Sequence, residues 1–335
     1  MLPSYALPDD RYAVVLNGNA GRVTPRLRRA MAEVVPQDRL FFTESQEHAA
    51  EVLHRAVERE LSTVFAGGGD GTIVDTINTL HGFRGDAPKL PAVGVLRLGT
   101  GNALARWLGS GGPVRDLKRW QEGRVHRVHD VSMVESEGKL FPFAGLGHDA
   151  AVLNDYIWIK GKGKGRWWEP LCKGMSGYVL AGALRTLPNY LTRENPMVTV
   201  TNQGSAAFRI GPKGEVVGDA IPTGGVIYRG PAALVGAATT PLYGYGMRMF
   251  PHATRWPGRF QLRVVNMSAV QCAVNMPAVF RGTCTHPGLM DFYVDRARVQ
   301  LEDAVPYQLG GDARGYRNEL TFALARFPVQ MVGQA

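Results

Sequence analysis

Ser62-Thr63-Val64-Phe65-Ala66-Gly67-Gly68-Gly69-Asp70-Gly71-Thr72 is the stretch on which the fold turns. Its first half is a short uncharged run of β-formers, the pattern of a strand buried on both faces. Its second half is a glycine turn opening onto a helix expected to run through Leu80. Glycines leave no Cβ between backbone N–H groups and a phosphate oxygen, and a following helix N-terminus adds donors and the positive end of a dipole. Asp70 puts a carboxylate at the same turn. On one reading it holds Mg²⁺ directly or through water; on the other it merely caps the helix.

The same arrangement recurs on either side. Tyr12–Leu16 is a strand pattern leading into Asn17-Gly18-Asn19-Ala20-Gly21, followed by a helix over Thr24–Val35 with Leu27, Met31 and Val34 at helical spacing. Leu40–Phe42 is a second strand, and Ser45 is placed to cap a helix running to about Glu60. A strand at Ala92–Leu96 precedes Leu98-Gly99-Thr100-Gly101-Asn102-Ala103 and another helix. Strands alternating with helices over short links predict a parallel sheet covered on both faces, with the glycine loops along one edge. Neither GxGxxG nor GxxxxGK[ST] occurs, which argues against a dinucleotide fold or a Walker-type NTPase. Beyond about Arg127 helical periodicity becomes rare and short β-rich runs such as Val198–Thr201 and Phe260–Val265 predominate, predicting a mostly antiparallel second domain. Ser176–Thr186 is the one stretch there with helical character.

The bulk composition sets limits on function. A chain of 335 residues suits two domains, and 45% hydrophobic with 20% charged residues is that of a globular protein. A net charge of +9 favours anionic partners, whether nucleotide, nucleic acid or acidic membrane, without choosing among these or excluding a merely basic soluble protein. Cys172, Cys272 and Cys284 have neither disulfide-scaffold nor zinc spacing, which fits a reducing cytoplasm. Met1–Arg11 lacks a signal-peptide h-region, and the apolar stretch Tyr178–Leu191 is interrupted by Arg185, Pro188 and Asn189 and is too short to span a bilayer. Membrane contact is therefore expected to be peripheral.

Taken together, the GGDGT at Gly68–Thr72 and LGTGNALA at Leu98–Ala105 resemble the diacylglycerol kinase catalytic domain family, which includes bacterial lipid kinases, sphingosine kinases and ceramide kinases. The likeness continues through Asn17–Gly21, Thr43-Glu44, FAGLGHDA at Phe143–Ala150, PLYGYGMRMFPHA at Pro241–Ala253 and QLGGD at Gln308–Asp312. It implies a three-layer α/β nucleotide-binding domain over residues 1–128, completed by a C-terminal segment 313–335. It also implies a β-sandwich-like lipid-substrate domain over 129–312, in the NAD kinase/diacylglycerol kinase-like architecture, with the active site in the cleft between the two. Carried over by position, Asn17, Asn19, Gly21, Thr43, Gly68, Gly69, Gly71, Thr72, Gly99, Thr100 and Asn102 would hold ATP. Asp70 would organise Mg²⁺–ATP, and Asp312, in place of the family's glutamate, would take the proton of a lipid hydroxyl. The implied activity is an ATP-dependent lipid kinase acting on diacylglycerol or a related lipid. The alternatives are a sphingoid-base or ceramide kinase, suggested by GNALA, and a catalytically lapsed nucleotide- or lipid-binding regulator.

The lapsed reading is motivated by two departures: Gly310 stands where the family has the first acid of its late motif, and Ala103 where many members have another. Thr254, Pro257 and Gly258 lack the aspartate of the family's structural metal site, which is expected to be absent. Asp149 corresponds to an acid near the acceptor's polar head, and is equally read as a turn residue satisfying backbone N–H groups. Lys160–Trp168 interleaves cations with tryptophans, which suits an anionic membrane surface. It suits equally a solvated basic turn with both tryptophans packed inward. His148, His252 and His286 are expected as core or surface residues, and Met247 and Met249 as alternating strand residues. The partners expected are ATP, a lipid substrate at an anionic membrane surface and, as one assembly, a second copy of the chain in a homodimer; no nucleic acid is expected. The expected location is cytoplasmic and peripherally membrane-associated.

Overall fold

The computed structural model describes residues 4–6, 11–85, 89–123, 126–186, 188 and 194–334. Asn189 and Leu191, at the end of the interrupted apolar stretch, lie outside the described residues, as does most of Met1–Arg11. The chain divides into two compact units, Met1–Ser132 with Phe327–Ala335, and Met133–Arg326.

The first unit holds β1 (Ser4–Ala6), β2 (Tyr12–Asn17), α1 (Pro25–Ala32), β3 (Leu40–Thr43), α2 (Gln46–Glu58), β4 (Thr63–Gly68), α3 (Asp70–Gly82), β5 (Ala92–Arg97), α4 (Ala103–Trp107), α5 (Pro113–Gln121) and β6 (His126–Val131). A C-terminal strand, Val329–Gln334, completes it. The order across the sheet is β1-β6-C-terminal strand-β5-β4-β2-β3. β3, β2, β4, β5 and the C-terminal strand run parallel, while β6 pairs antiparallel with the C-terminal strand and β1 antiparallel with β6. The helices start where side chains satisfy their first N–H groups: Thr24 Oγ1 accepts from Leu27 N and Ser45 Oγ from His48 N.

Alternation along the strands sorts the core. Tyr12, Val14, Leu16 and Phe65 pack with Met31 of α1 and with Leu117 and Trp120 of α5. The intervening Ala13, Val15, Val64 and Ala66 are buried too, and helices α2 and α3, in contact with β2 and β4, bury Val52, Leu53, Ile73 and Ile77. Helices thus cover both faces, which is why the strands read as continuous apolar runs.

The second unit is strand-rich. It comprises β7 (Val134–Ser136), β8 (Lys139–Phe141), β9 (Phe143–Gly147), β10 (Met197–Asn202), β11 (Ala207–Ile210), β12 (Val216–Ile221), β13 (Val226–Pro231), β14 (Leu234–Ala238), β15 (Phe260–Val265), β16 (Leu289–Val294), β17 (Arg296–Leu309) and β18 (Asp312–Leu324). Ten strands follow the order β12-β11-β16-β15-β14-β9-β17-β18-β7-β8, and β10 joins β13 to β17. The first unit is rejoined at Phe327 rather than at residue 313, because Asp312–Leu324 pairs along β17 as the second arm of a long hairpin.

Among the described residues three helices interrupt these strands: α6 (His148–Gly163), α7 (Gly174–Ala181), which continues into a π turn at Gly182–Thr186, and α8 (Ala269–Arg281). The sequence predicted helix only at Ser176–Thr186. In α6, Ala150, Leu153, Tyr156, Ile159 and Gly163 form a buried helical stripe, but the outward Ile157 and Trp158 blur its period. Helix α8 is apolar nearly all round, so it shows no period, although Ser268 and Gln271 form a full capping box. Met247 and Met249 are not strand residues; they follow a short 3₁₀ turn at Gly244–Gly246, and only Met249 is buried.

Candidate active site

In the first unit the glycine loops leave the carboxyl ends of the neighbouring parallel strands β2, β4 and β5, and the structure brings them together. Asn17 Nδ2 donates to Thr72 Oγ1 at 3.1 Å, tying the first loop to the GGDGT turn. Gly18 N donates to Thr43 O at 2.7 Å, and Asn19 Nδ2 to Glu44 O at 2.8 Å. The GGDGT and LGTGN turns meet backbone to backbone: a Cβ on Gly99 would lie 2.3 Å from Gly69 Cα. Only glycine permits that approach. Asp70 is the first residue of α3, and its Oδ1 accepts from Leu104 N at 3.4 Å, so it also reaches the start of α4.

The expected nucleotide residues divide by what their polar atoms already do. Asn102 is buried in the left-handed conformation (φ 53°); its Oδ1 accepts from Gly99 N at 2.9 Å and its Nδ2 donates to Gly99 O at 2.6 Å. It holds the loop's shape. Thr43 is likewise buried, its hydroxyl on Leu16 O at 3.4 Å and its carbonyl on Gly18 N. Gly21, Thr100 and Asn19 are exposed, while Gly69, Gly71, Thr72 and Gly99 are half-buried along the edge and Gly68 is buried.

Sequence reasoning missed a cluster of arginines at this edge. Arg22 follows Gly21, Arg97 ends β5 and Arg106 lies in α4. Burial first, then the charges of Arg106 and Arg22, pull the Arg97 guanidinium below its ordinary value. The buried Arg97 Nε has no hydrogen-bond partner. A guanidinium beside two further cations, with an unanswered donor next to glycine loops, is chemically suited to an anion. The readable signal was a cation immediately flanking two of the three glycine turns.

The second unit contains Asp149 and Asp312. Asp149 stands in the first turn of α6, and its Oδ2 accepts from Tyr243 Oη and from Gln308 Nε2, each at 3.1 Å. Gln308 also donates to Tyr243 Oη at 2.8 Å, and its Oε1 accepts from Gly311 N at 2.9 Å. Burial raises the Asp149 carboxyl above its usual range, against the lowering effect of those bonds, and its Oδ1 is buried without a partner. Burial also drives the Tyr243 phenol well up, with the Asp149 charge acting in the same direction. Asp312 begins β18 directly after Gly310 and Gly311, both left-handed (φ 59° and 91°). The turn that presents Asp312 is therefore tied through Gln308 to the Asp149 carboxylate.

The lysine-rich stretch is not a loop throughout, since Lys160–Gly163 is the last turn of α6. Its tryptophans part company. Trp168 packs against the cluster of Leu153, Tyr156 and Ile159, whereas Trp167 is 90% exposed. Arg185 lies 3.9 Å over the Trp158 ring. His148 is largely buried, which lowers its pKa to about 4. Among the described residues no group of three or more His, Cys, Asp or Glu is arranged to hold a metal ion, and no helix is long and apolar enough to cross a membrane.

Comparison with known proteins agrees with the motif reading. Residues 11–134 match the diacylglycerol kinase catalytic domain family. A segment of 53 residues is 51% identical to the eye-specific diacylglycerol kinase of Drosophila melanogaster, a match covering 16% of this chain and 4% of that protein's length. Among solved structures, a diacylglycerol kinase from Bacillus anthracis str. Sterne superposes with a TM-score of 0.62 at 14% identity, covering 97% of each chain. A candidate diacylglycerol kinase from the same strain superposes at 0.68 with 16% identity, covering 98% of this chain and 97% of the other. The overall fold, an α/β unit with a strand-rich second unit, is shared with these bacterial structures.

Proposed function

We propose that this chain is a lipid kinase that transfers the γ-phosphate of ATP to a hydroxyl of diacylglycerol or a related lipid. The observation that carries the reading is the convergence of three glycine-bearing loops on one sheet edge beside Arg22, Arg97 and Arg106. Such an edge offers backbone donors and unneutralised positive charge to a polyphosphate. The family match over the same residues supports a kinase rather than a phosphate-binding regulator.

In the proposed reaction the acceptor oxygen attacks the γ-phosphorus in line as the bond to the bridging β-phosphate oxygen breaks, releasing ADP. Asp312 takes the acceptor hydroxyl proton. Asn102 and Asn17 fix the loops so that their N–H groups meet the phosphates without reorganising. Asp70 would hold Mg²⁺, and a single protein carboxylate suits an ion that takes most of its ligands from phosphates and water. That ion would neutralise charge on the β- and γ-phosphate oxygens. The unpartnered Asp149 Oδ1 would receive a donor from the acceptor's polar head. Tryptophan and six cations against one acid over residues 157–185 suit approach to an anionic bilayer.

The test is phosphate transfer from radiolabelled ATP to mixed micelles of diacylglycerol, sphingosine or ceramide, with Asp70→Ala, Asp312→Ala and Arg97→Met alongside. Asp312→Ala is expected to abolish transfer while leaving ATP binding intact. Asp70→Ala should abolish transfer and weaken the Mg²⁺ dependence of binding, and Arg97→Met should weaken ATP binding. ATP binding by the native chain without transfer to any of these lipids would favour the lapsed regulator.

A further inference from the structure

Helix α8 is oriented the wrong way round for a protein facing water. Its buried residue is Val279, whereas Val270, Ala273, Val274, Pro277 and Phe280 share the outward face, with Val274 74% exposed. No charged residue occurs from Ala269 to Phe280. A surface helix normally turns such a face inward.

Its place in the second unit indicates what covers that face. Gly147 at the end of β9 pairs with Leu234, and Leu234 with Val265 at the end of β15. The α6–α7 hairpin begins one residue after Gly147, and α8 begins just after Val265 at Ala269. Both therefore leave the same end of the sheet, two strands apart. A row of hydrogen bonds closes that end: His148 N to Ala233 O at 2.9 Å and Ala233 N to Val265 O at 2.7 Å. The segment after β14 bridges the helices, with Tyr245 edge-on to Tyr178 of α7 at 5.7 Å and Arg248 N donating to Phe280 O of α8 at 2.9 Å. The hairpin end carries the excess cations and the exposed Trp167, while α8 brings apolar surface flanked by Arg248 and Arg281.

We propose that α8 is a membrane-inserting element, lying in the interface of an anionic lipid bilayer with its apolar face among the acyl chains while the α6–α7 hairpin engages the headgroups. The inference rests on reading that hairpin as lipid-facing, and it adds a second contact of different chemistry. Charge on the hairpin confers preference for anionic lipid, and α8 supplies partitioning that does not depend on lipid charge.

Co-sedimentation of the full chain with phosphatidylcholine vesicles, with and without phosphatidylglycerol, tests this without requiring any catalytic activity. Val274→Asp is expected to weaken partitioning by about tenfold or more on both vesicle types, the loss of one buried valine. The double variant Val270→Ser/Val274→Ser, which adds no charge, should do the same. Lys162→Gln/Lys164→Gln should weaken binding only where phosphatidylglycerol is present, and Val216→Ser, an exposed apolar residue on β12, should change nothing. Unaltered partitioning of both α8 variants, or no vesicle binding by the native chain, would overturn the proposal. So would a native dimer in analytical ultracentrifugation that Val274→Asp dissociates without changing vesicle affinity, since the face would then belong to a second copy. Native vesicle binding without lipid phosphorylation would defeat the kinase reading and leave α8 as assigned.

Discussion

Replacing Gly99 by alanine should uncouple the two central loops of the proposed nucleotide edge without unfolding the chain. The added Cβ would sit 2.3 Å from Gly69 Cα and 3.0 Å from both Gly68 O and Gly69 N. These are backbone atoms, so no side chain can swing aside. Restoring an ordinary contact requires the GGDGT and LGTGN turns to separate by about 1 Å, and displacement on that scale at a positioned site costs roughly a hundredfold in rate. Because Gly99 is half-buried at the edge of the sheet, the strain should be absorbed by loop movement at about 1–3 kcal/mol of stability. ATP affinity measured by isothermal titration and kcat in the lipid assay should both fall, while the thermal midpoint drops by only a few degrees. Gly112→Ala, where a Cβ meets nothing within 4 Å, is the control. A Gly99→Ala protein with native ATP affinity and turnover would show that contact between the loops is not what shapes the nucleotide site.

Two further expectations concern the second unit. Asp291→Ala strands the buried Arg263, which donates to both carboxylate oxygens at 2.7 Å, and should cost about 3–5 kcal/mol in urea denaturation, with much of that recovered when Arg263 is also made apolar. His148 has its pKa lowered by burial from 6.5 to about 4, so the folded chain binds fewer protons than the unfolded chain between those values. Its contribution is fully present above about pH 6.5 and is lost as pH falls toward 4, at about 1.4 kcal/mol per unit. His148→Gln should flatten the stability profile over that window relative to the native chain. Asp149, raised by burial, contributes the opposite slope in both proteins, so equal profiles would refute the assignment to His148.

The first unit was legible because its signals are local. Thr24 and Ser45 announce their helices, and each glycine turn sits directly between a strand and a helix. The arginine cluster was legible only as a cation flanking two glycine turns, since Arg22 and Arg97 become neighbours only when β2, β4 and β5 pair in register. The same holds for Asp149, Tyr243 and Gln308, which come from a helix, a loop and a strand far apart in sequence. Helices α6 and α8 escaped because periodicity reports a helix only when one face is wet and the other dry. Both present apolar residues outward, so the feature that hid them from the sequence is the one that argues for a lipid surface.

The C-terminal strand has a consequence for how the chain is made. Val329–Gln334 lies inside the first sheet, parallel to β5 on one side and antiparallel to β6 on the other. About 190 residues of the second unit are inserted before it. During synthesis β5 and β6 must wait unjoined until Val329–Gln334 leaves the ribosome, although the second unit is continuous and can fold first. The nascent first unit thus carries two open strand edges while the whole of the second unit is being made, which leaves it exposed to mispairing and dependent on chaperones over that interval.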